Sequence, residues 1–241
     1  MTKAFPTSVG LSSPTSLSLR AKRGNLIVPT PHLPFILALL ALTALLSLLP
    51  WGVARSETEP TDLKSVRLWV YPEYDDPRLL VMLEGKIEGA SPPATVRFLV
   101  PAGAEMYSAG SMDSQGKYSG GPPRRKPSDL PGWDEISYEV TSDTFRVEYY
   151  HDIIQGQPDK TIAYEFRTLY PITVLLVTVQ EPLRSSDFVV VPRAHFNDSG
   201  EGFRYHQYSF PGLGRDETLK FDISYTRSDP DPSLGSAGTG A

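Results

Sequence analysis

Three side chains in the C-terminal third of the chain are of types that ligate metal ions. His195 and His206 bracket the segment FNDSGEGFRY, which contains Asp198 and a glycine-rich turn signal. A hairpin over this segment could bring the two imidazole rings and the carboxylate together, and zinc accepts such nitrogen and oxygen ligands. The spacing matches no known metal signature. The alternative prediction is an ordinary hairpin loop with both histidines at strand edges.

Four aromatic residues are candidates for binding a ligand. Neighbouring residues of a strand point to opposite faces, so Tyr150, in the run Tyr-Tyr-His, is expected to face solvent. The run YHQY presents Tyr205 and Tyr208 on a strand in the same way, and Trp69 alternates with apolar neighbours. Partly exposed aromatic rings stack on sugars and anchor protein interfaces. The alternative is that these rings only form cross-strand pairs that stabilise the sheet.

A basic cluster lies in a long segment without apolar periodicity. Arg124 and Arg125 are flanked by prolines within residues 103–133, which are rich in Gly, Ser and Pro. This composition predicts a long loop, and loops of more than about 12–15 residues in compact domains are usually functional or disordered. The two arginines could bind an acidic partner. The alternative is a run of charge that is simply solvated.

Several classes of chemistry are excluded by what the sequence lacks. The 241 residues contain no cysteine, which rules out disulfides, thiolate zinc sites, iron–sulfur clusters and a cysteine nucleophile. No G-x-S-x-G motif marks a serine hydrolase. No facing pair of carboxylates for glycoside hydrolysis can be singled out among 28 acidic residues. We therefore predict no catalytic residue and no cofactor.

The charge is distributed unevenly along the chain. The protein has 23 basic and 28 acidic residues, a net charge of −5. Residues 1–54 contain four basic residues and no acidic one, which leaves 19 basic and 28 acidic residues in the remainder. An acidic body of this kind does not follow a phosphate backbone. We therefore expect no nucleic-acid partner.

The N-terminal region has the features of an export signal. Residues 35–49 (FILALLALTALLSLL) are uncharged and follow a basic cluster at positions 20–23. The small residues at positions 52–54 predict cleavage of a signal peptide after Ala54. The alternative is an uncleaved signal anchor, because an apolar helix of about 20 residues spans a bilayer. In both cases residues 1–54 contain one hydrophobic helix, and the rest of the chain lies outside the cytoplasm.

The rest of the chain is dominated by a two-residue period. Apolar and polar residues alternate over residues 136–140, 145–149, 162–168 and 219–225. Each such run predicts a strand with one buried face. About nine or ten strands at hairpin spacing predict an all-β fold, namely an antiparallel two-sheet β-sandwich of immunoglobulin-like or jelly-roll-like topology.

The pattern also predicts the internal organisation of this domain. The runs at 79–83 and 172–179 are apolar at nearly every position, which indicates central strands covered on both faces. We place the β-domain at residues 63–227. An acidic linker at 55–62 precedes it, and a Pro- and Gly-rich tail at 228–241 follows it and is predicted to be disordered.

Together these features predict a secreted or membrane-anchored domain outside the cytoplasm that serves as a non-catalytic binding module of the cell envelope. Its ligand would be a protein or a carbohydrate, and the N-terminal helix, if uncleaved, would contact the membrane. Two alternatives remain open at this stage. One is a metal-dependent or carbohydrate-active envelope enzyme, and the other is a structural component of an envelope complex.

Overall fold

The computed structural model of the protein describes residues 58–235, which belong to one compact unit, Arg55–Ala241. These residues form an all-β fold, as the two-residue period predicts. None of them is helical, so the described part of the chain contains no helix that could cross a membrane. The predicted N-terminal hydrophobic helix, with its signal peptide or signal anchor, lies outside the described residues.

Fourteen strands follow one another between residues 58 and 235. In chain order they are β1 (Asp62–Pro72), β2 (Leu79–Glu88), β3 (Ala94–Pro101), β4 (Glu105–Met112), β5 (Tyr118–Gly120), β6 (Arg124–Pro127), β7 (Trp133–Val140), β8 (Thr144–His151), β9 (Asp159–Arg167), β10 (Leu175–Gln180), β11 (Ser186–Val191), β12 (Phe196–Gly200), β13 (Phe203–Phe210) and β14 (Thr218–Thr226). They form three hydrogen-bonded sheets, whereas the sequence predicts two.

The largest sheet has eight strands in the order β12-β13-β10-β1-β2-β8-β4-β5. Its neighbouring strands are antiparallel except β1 and β10, which run parallel from the pair Val66–Leu175 to the pair Val70–Val179. A parallel pair requires a long connection, and here the eight strands β2 to β9 separate its members in the chain. The prediction of purely antiparallel sheets is therefore wrong at this pair. Alternation could not reveal it, because the side-chain period does not depend on strand direction.

Two smaller sheets have three strands each, ordered β11-β14-β9 and β3-β7-β6, and all their neighbours are antiparallel. All three sheets contribute side chains to one hydrophobic cluster, for example Val177, Ile223 and Ile136. Burying a side chain of this size contributes about 1.5–3 kcal/mol. This shared core therefore holds the three sheets together. We call the face of the large sheet that contributes to it the inward face, and the opposite face the outward face.

The two runs predicted to be covered on both faces differ from each other in the structure. In β2, Leu80 on the outward face is buried, as are Leu79 and Val81 on the inward face. In β10, Val177 is buried but its outward neighbour Leu176 is 40% exposed. The prediction is thus confirmed for β2 and wrong for β10. The outward face of β10 is therefore uncovered at Leu176.

The segment predicted as a long loop, residues 103–133, contains three strands. β4 and β5 form a hairpin at the edge of the large sheet, and β6 is an edge strand of a small sheet. Every residue of β5 and β6 is exposed. No buried face imposes an apolar alternation on such strands, which is why the sequence pattern does not reveal them.

Candidate functional site

Four neighbouring strands of the large sheet present their outward side chains in aligned rows. β12, β13, β10 and β1 lie side by side in that order. One row consists of Ser209, Leu176 and Arg67. The next row consists of Phe196, Gln207, Thr178 and Trp69. β1 is distant in the chain from the other three strands, so the members of these rows share one surface only in the folded protein.

The two rows line a groove of about 450 Å³ that follows β10. The large side chains of Trp69 and Phe196 flank it on β1 and β12, and the shorter side chains of Leu176 and Thr178 lie between them. The ring of Phe196 is 63% exposed. The volume falls within the range of about 300–1,000 Å³ that is typical of small-molecule sites. The groove can therefore hold a ligand of that size against apolar and aromatic surface.

The polar groups of the groove are mostly neutral. The hydroxyls of Thr178 and Ser209 and the amide of Gln207 can each donate and accept hydrogen bonds. Arg67 is the one charged residue that lines the groove. Its cross-strand neighbour Glu84 lies 3.4 Å from a guanidinium nitrogen of Arg146, and no carboxylate among residues 58–235 forms an ion pair with Arg67. The groove thus combines two aromatic rings, neutral hydrogen-bonding groups and one uncompensated cation.

An aromatic cluster occupies the outward face beyond the indole end of the groove. Tyr71 lies with its ring centroid 6.3 Å from that of Tyr205, and Tyr74 and Phe203 extend the cluster at 5.4 and 5.8 Å. Gln180, the register partner of Tyr205, is 1% exposed, and neither atom of its amide has a hydrogen-bond partner. Burial, reinforced by the neighbouring tyrosines, raises the pKa of Tyr71 well above its usual range. The cluster is therefore a partly buried aromatic surface beside the open groove.

The structure separates the outward aromatic residues that the sequence predicts as ligand contacts. Trp69 lines the groove, and Tyr205 belongs to the aromatic cluster beside it. Tyr150 is also on the outward face, but β1 and β2 separate its strand from β10. Its hydroxyl donates to Asp75 at 3.1 Å, and the guanidinium of Arg78 lies 4.9 Å from its ring centroid. Tyr150 is thus engaged in a separate cluster outside the groove.

Tyr208 lies on the inward face, contrary to the expectation that its ring is exposed. It is the register partner of the core residue Val177, and it is 2% exposed. Its hydroxyl donates to the carbonyl of Pro192 at 2.7 Å. Residues 205 and 208 are an odd number of positions apart, so a regular strand directs them to opposite faces. Only one of the two could therefore be outward.

The two predicted basic residues lie on β6, which belongs to a small sheet rather than to the sheet with the groove. Arg125 forms an ion pair with Asp134 at 2.7 Å and donates to the carbonyl of Ala104 at 2.5 Å. It therefore fastens the edge strand to its neighbours. Arg124 is exposed, and its contact with an acidic partner stays a prediction.

The predicted metal ligands are not brought together. In the β12–β13 hairpin the register partner of His206 is Asn197, and the partner of Asp198 is Tyr205. His206 bonds to Glu181 at 3.0 Å, and the Nδ1 atom of His195 accepts from the backbone N–H of Ser209 at 3.1 Å. Among residues 58–235 no three His, Cys, Asp or Glu side chains are grouped so that they could hold a metal ion. Asp198 is paired with Tyr205, which precedes His206 by one residue, so Asp198 and His206 lie on opposite faces of the hairpin.

A buried ionic cluster was missed by sequence reasoning. Glu73 follows β1 and accepts from the Lys160 ammonium at 2.6 Å, from the Arg227 guanidinium at 3.0 Å and from the Tyr225 hydroxyl at 2.8 Å. All four side chains are buried. The carboxylate raises the pKa of Tyr225 above its usual range, after burial, which is the larger cause. The run YPEYDDP reads as a solvated turn, so no local signal identifies Glu73 as a buried acid.

This ionic cluster also fixes the residues that follow β14. Arg227 donates to the backbone carbonyls of Leu183, Asp229 and Asp231. The backbone N–H of Ser233 donates to the carbonyl of Glu73 at 2.7 Å. Residues 228–235, part of the stretch for which the sequence predicts disorder, are thereby bonded to the first β-turn of the domain. Residues 236–241 lie outside the described residues.

We expect His151, at the end of β8, to make the stability of the domain depend on pH. Burial lowers its pKa below the usual 6.5, against the opposing effect of Asp152, and its Nδ1 atom has no hydrogen-bond partner. The unfolded chain therefore binds a proton near pH 6.5 that the folded chain binds only at lower pH. We expect the free energy of unfolding to fall as the pH decreases below 6.5, and to fall less in a His151→Gln variant. Urea unfolding at several pH values measures how steeply the free energy of unfolding depends on pH in wild type and in the variant. Equal slopes for the two proteins would contradict this assignment.

Comparison with known proteins places few constraints on the function. No family model matches the sequence, and no curated protein matches it at a significant level. One solved structure, of a protein from Parabacteroides distasonis described as a candidate protease, is similar over 68% of this chain with 10% identity and a TM-score of 0.39. This chain covers 40% of that protein. A TM-score this low supports no inference about the function.

Proposed function

We propose that this protein is a non-catalytic binding module located outside the cytoplasm, and that the groove along β10 binds a carbohydrate. The observation that carries the proposal is the outward row Phe196, Gln207, Thr178 and Trp69. It combines two accessible aromatic rings with neutral hydrogen-bonding groups on a rigid sheet. A site held by strands is also positioned more precisely than one on loops.

The composition of the groove fits a sugar and disfavours a lipid. A sugar ring has an apolar face that packs on an aromatic ring, and hydroxyls that require both donors and acceptors. The indole of Trp69 and the ring of Phe196 supply the aromatic surface, and Thr178, Gln207 and Ser209 supply bifunctional polar groups. A lipid would leave these polar groups without partners, at a cost of about 1–3 kcal/mol each.

Two further elements belong to this proposal. The apolar residues 35–49 and the basic cluster before them support export, with the domain either released or held by its N-terminal helix. The contacts Phe98–Phe145 and Tyr208–Phe221 join each small sheet to the large one, which supports a two-layer sandwich in which both small sheets cover the inward face. Its parallel β1–β10 pair departs from the purely antiparallel sheets of the expected topologies.

The alternative of a metal-dependent enzyme rested on a metal site at His195, Asp198 and His206, and the structure does not bring these residues together. His195 and His206 are engaged in separate hydrogen bonds, and Asp198 lies on the other face of the hairpin. A binding role is compatible with these hydrogen bonds and with this register of the hairpin as they stand. The geometry of this hairpin therefore favours the binding module over a metal-dependent enzyme built on these three residues.

The variant Trp69→Ala tests the groove. We expect it to weaken binding of a saccharide by about tenfold or more, because a central aromatic anchor commonly contributes 2 kcal/mol or more. Binding is measured by calorimetry after screening the full-length protein against a panel of oligosaccharides. The matched control is Tyr107→Ala, which removes a ring that is 70% exposed on β4, away from the groove. Equal binding by wild type and Trp69→Ala, or no binding to any saccharide, would contradict the proposal.

A further inference from the structure

We infer that the groove selects an acidic saccharide, in which a sugar ring packs on Trp69 while a carboxylate of the same or the next residue binds Arg67. This inference rests on the proposed function and adds the substrate class to it. It is carried by the position of Arg67 and by the charge around it.

Arg67 and Trp69 are two residues apart on β1, and both line the groove. A strand rises about 3.3 Å per residue, so the two side chains leave the same face about 7 Å apart. A ring stacked on the indole can therefore present a substituent to the guanidinium without leaving the groove. The guanidinium has a planar fork of donors that matches the two oxygens of a carboxylate.

Arg67 differs from the other arginines of the large sheet in having no acidic partner among residues 58–235. The large sheet contains two further arginines, and both are paired: Arg146 with Glu84 and Glu148, and Arg204 with Glu181. Arg67 forms no ion pair with any acid of residues 58–235, although the whole protein has five more acidic than basic residues. Abundant acids thus still leave Arg67 available for a ligand. A bound carboxylate would supply the missing counter-charge.

The remaining groups of the groove fit the rest of such a ligand. Ser209 and Leu176 share the row of Arg67, and Thr178 and Gln207 share the row of Trp69. The hydroxyls and the amide can satisfy sugar hydroxyls, and none of them adds a negative charge that would repel the acid. Of the carboxylates on the outward face, Glu84 beside Arg67 is engaged by Arg146, and Asp198 lies in the row of Tyr205, two rows from Arg67.

The experiment compares the variant Arg67→Gln with wild type. The probes are short galacturonate, glucuronate and mannuronate oligosaccharides, together with their methyl esters, which keep the sugar skeleton and remove the charge. We expect wild type to bind at least one acid about tenfold or more tighter than its ester, as for a charge-assisted hydrogen bond. Arg67→Gln should lose this preference but keep the affinity for the ester. The control Lys117→Gln, which makes the same change in net charge in the exposed β4–β5 hairpin at the other edge of the large sheet, should behave as wild type.

The outcomes separate the inference from the proposed function. If the ester or a neutral saccharide binds as well as the acid, or if Arg67→Gln keeps the preference, the inference is wrong while the carbohydrate groove stands. Preference for sulfated saccharides alone would also overturn the carboxylate assignment. If Trp69→Ala leaves all binding unchanged, the groove itself is not the site and both proposals fail.

Discussion

The variant Glu73→Gln is expected to lower the free energy of unfolding by about 3–5 kcal/mol, because removing one partner of a buried ion pair leaves uncompensated charge. Among residues 58–235, Glu73 is the one carboxylate that forms ion pairs with Lys160 and Arg227 in their buried cluster. Glutamine keeps the size and shape of the side chain, so the decrease in the free energy of unfolding measures the effect of removing the charge rather than of creating a cavity. A domain of this size is typically stable by 5–15 kcal/mol, so the variant should remain folded but unfold at much lower urea concentration.

A matched control is available at the surface. Glu165 also contacts two cations, Lys220 at 2.5 Å and Arg167 at 3.4 Å, but its pairs are exposed to solvent. Exposed pairs contribute about 0–1 kcal/mol, so Glu165→Gln should be nearly neutral. Urea unfolding followed by circular dichroism at one pH measures both variants. Similar losses for Glu73→Gln and Glu165→Gln would show that burial of the cluster does not govern its contribution.

The ionic cluster shows why such a site escapes sequence reasoning. Its members are 87 and 154 positions apart in the chain, between Glu73 and Lys160 and between Glu73 and Arg227. Each residue stands in a polar context that resembles a solvated turn or strand end. Burial of these side chains follows from packing of the first β-turn, β9 and the segment after β14, and no local pattern encodes that packing.

The alternation of apolar and polar residues predicts well where strands lie in the chain, and poorly which strands are neighbours in a sheet. The runs at 136–140, 145–149, 162–168 and 219–225 correspond to β7, β8, β9 and β14, because each of these strands has one buried face. The same two-residue period is compatible with any neighbouring strand and with either parallel or antiparallel pairing. The eight-stranded order and the parallel β1–β10 pair therefore could not be predicted.

The groove illustrates the same limit. Trp69 was identified because its outward position follows from the apolar residues on either side of it. Arg67 and Gln207 were not, since an exposed polar residue on a strand has no local feature that distinguishes it. Their common surface depends on β1 lying beside β10 and β10 beside β13. One signal was present in the sequence, however: the apolar run of β10 has more outward apolar surface than the fold covers.

Tyr208 provides the second prediction with a large effect, and it tests directly which face of β13 is inward. Tyr208→Ala is expected to lower the free energy of unfolding by about 3–5 kcal/mol, as for other large aromatic residues truncated in a core. The ring packs against Phe221 at a centroid distance of 5.1 Å. Burial raises the pKa of its phenol to about 12, and the hydroxyl donates to Pro192.

Two companion variants separate the contributions. Tyr208→Phe keeps the ring and removes one neutral hydrogen bond, so it should cost about 1 kcal/mol. Tyr205→Ala truncates a ring on the outward face, which is only partly buried, and should cost clearly less than Tyr208→Ala. Denaturant unfolding of the three variants gives this order. If Tyr208→Ala kept wild-type stability and lost saccharide binding, Tyr208 would be a surface contact and the register of β13 against β10 would have to shift by one residue, because a one-residue shift exchanges the two faces of a strand.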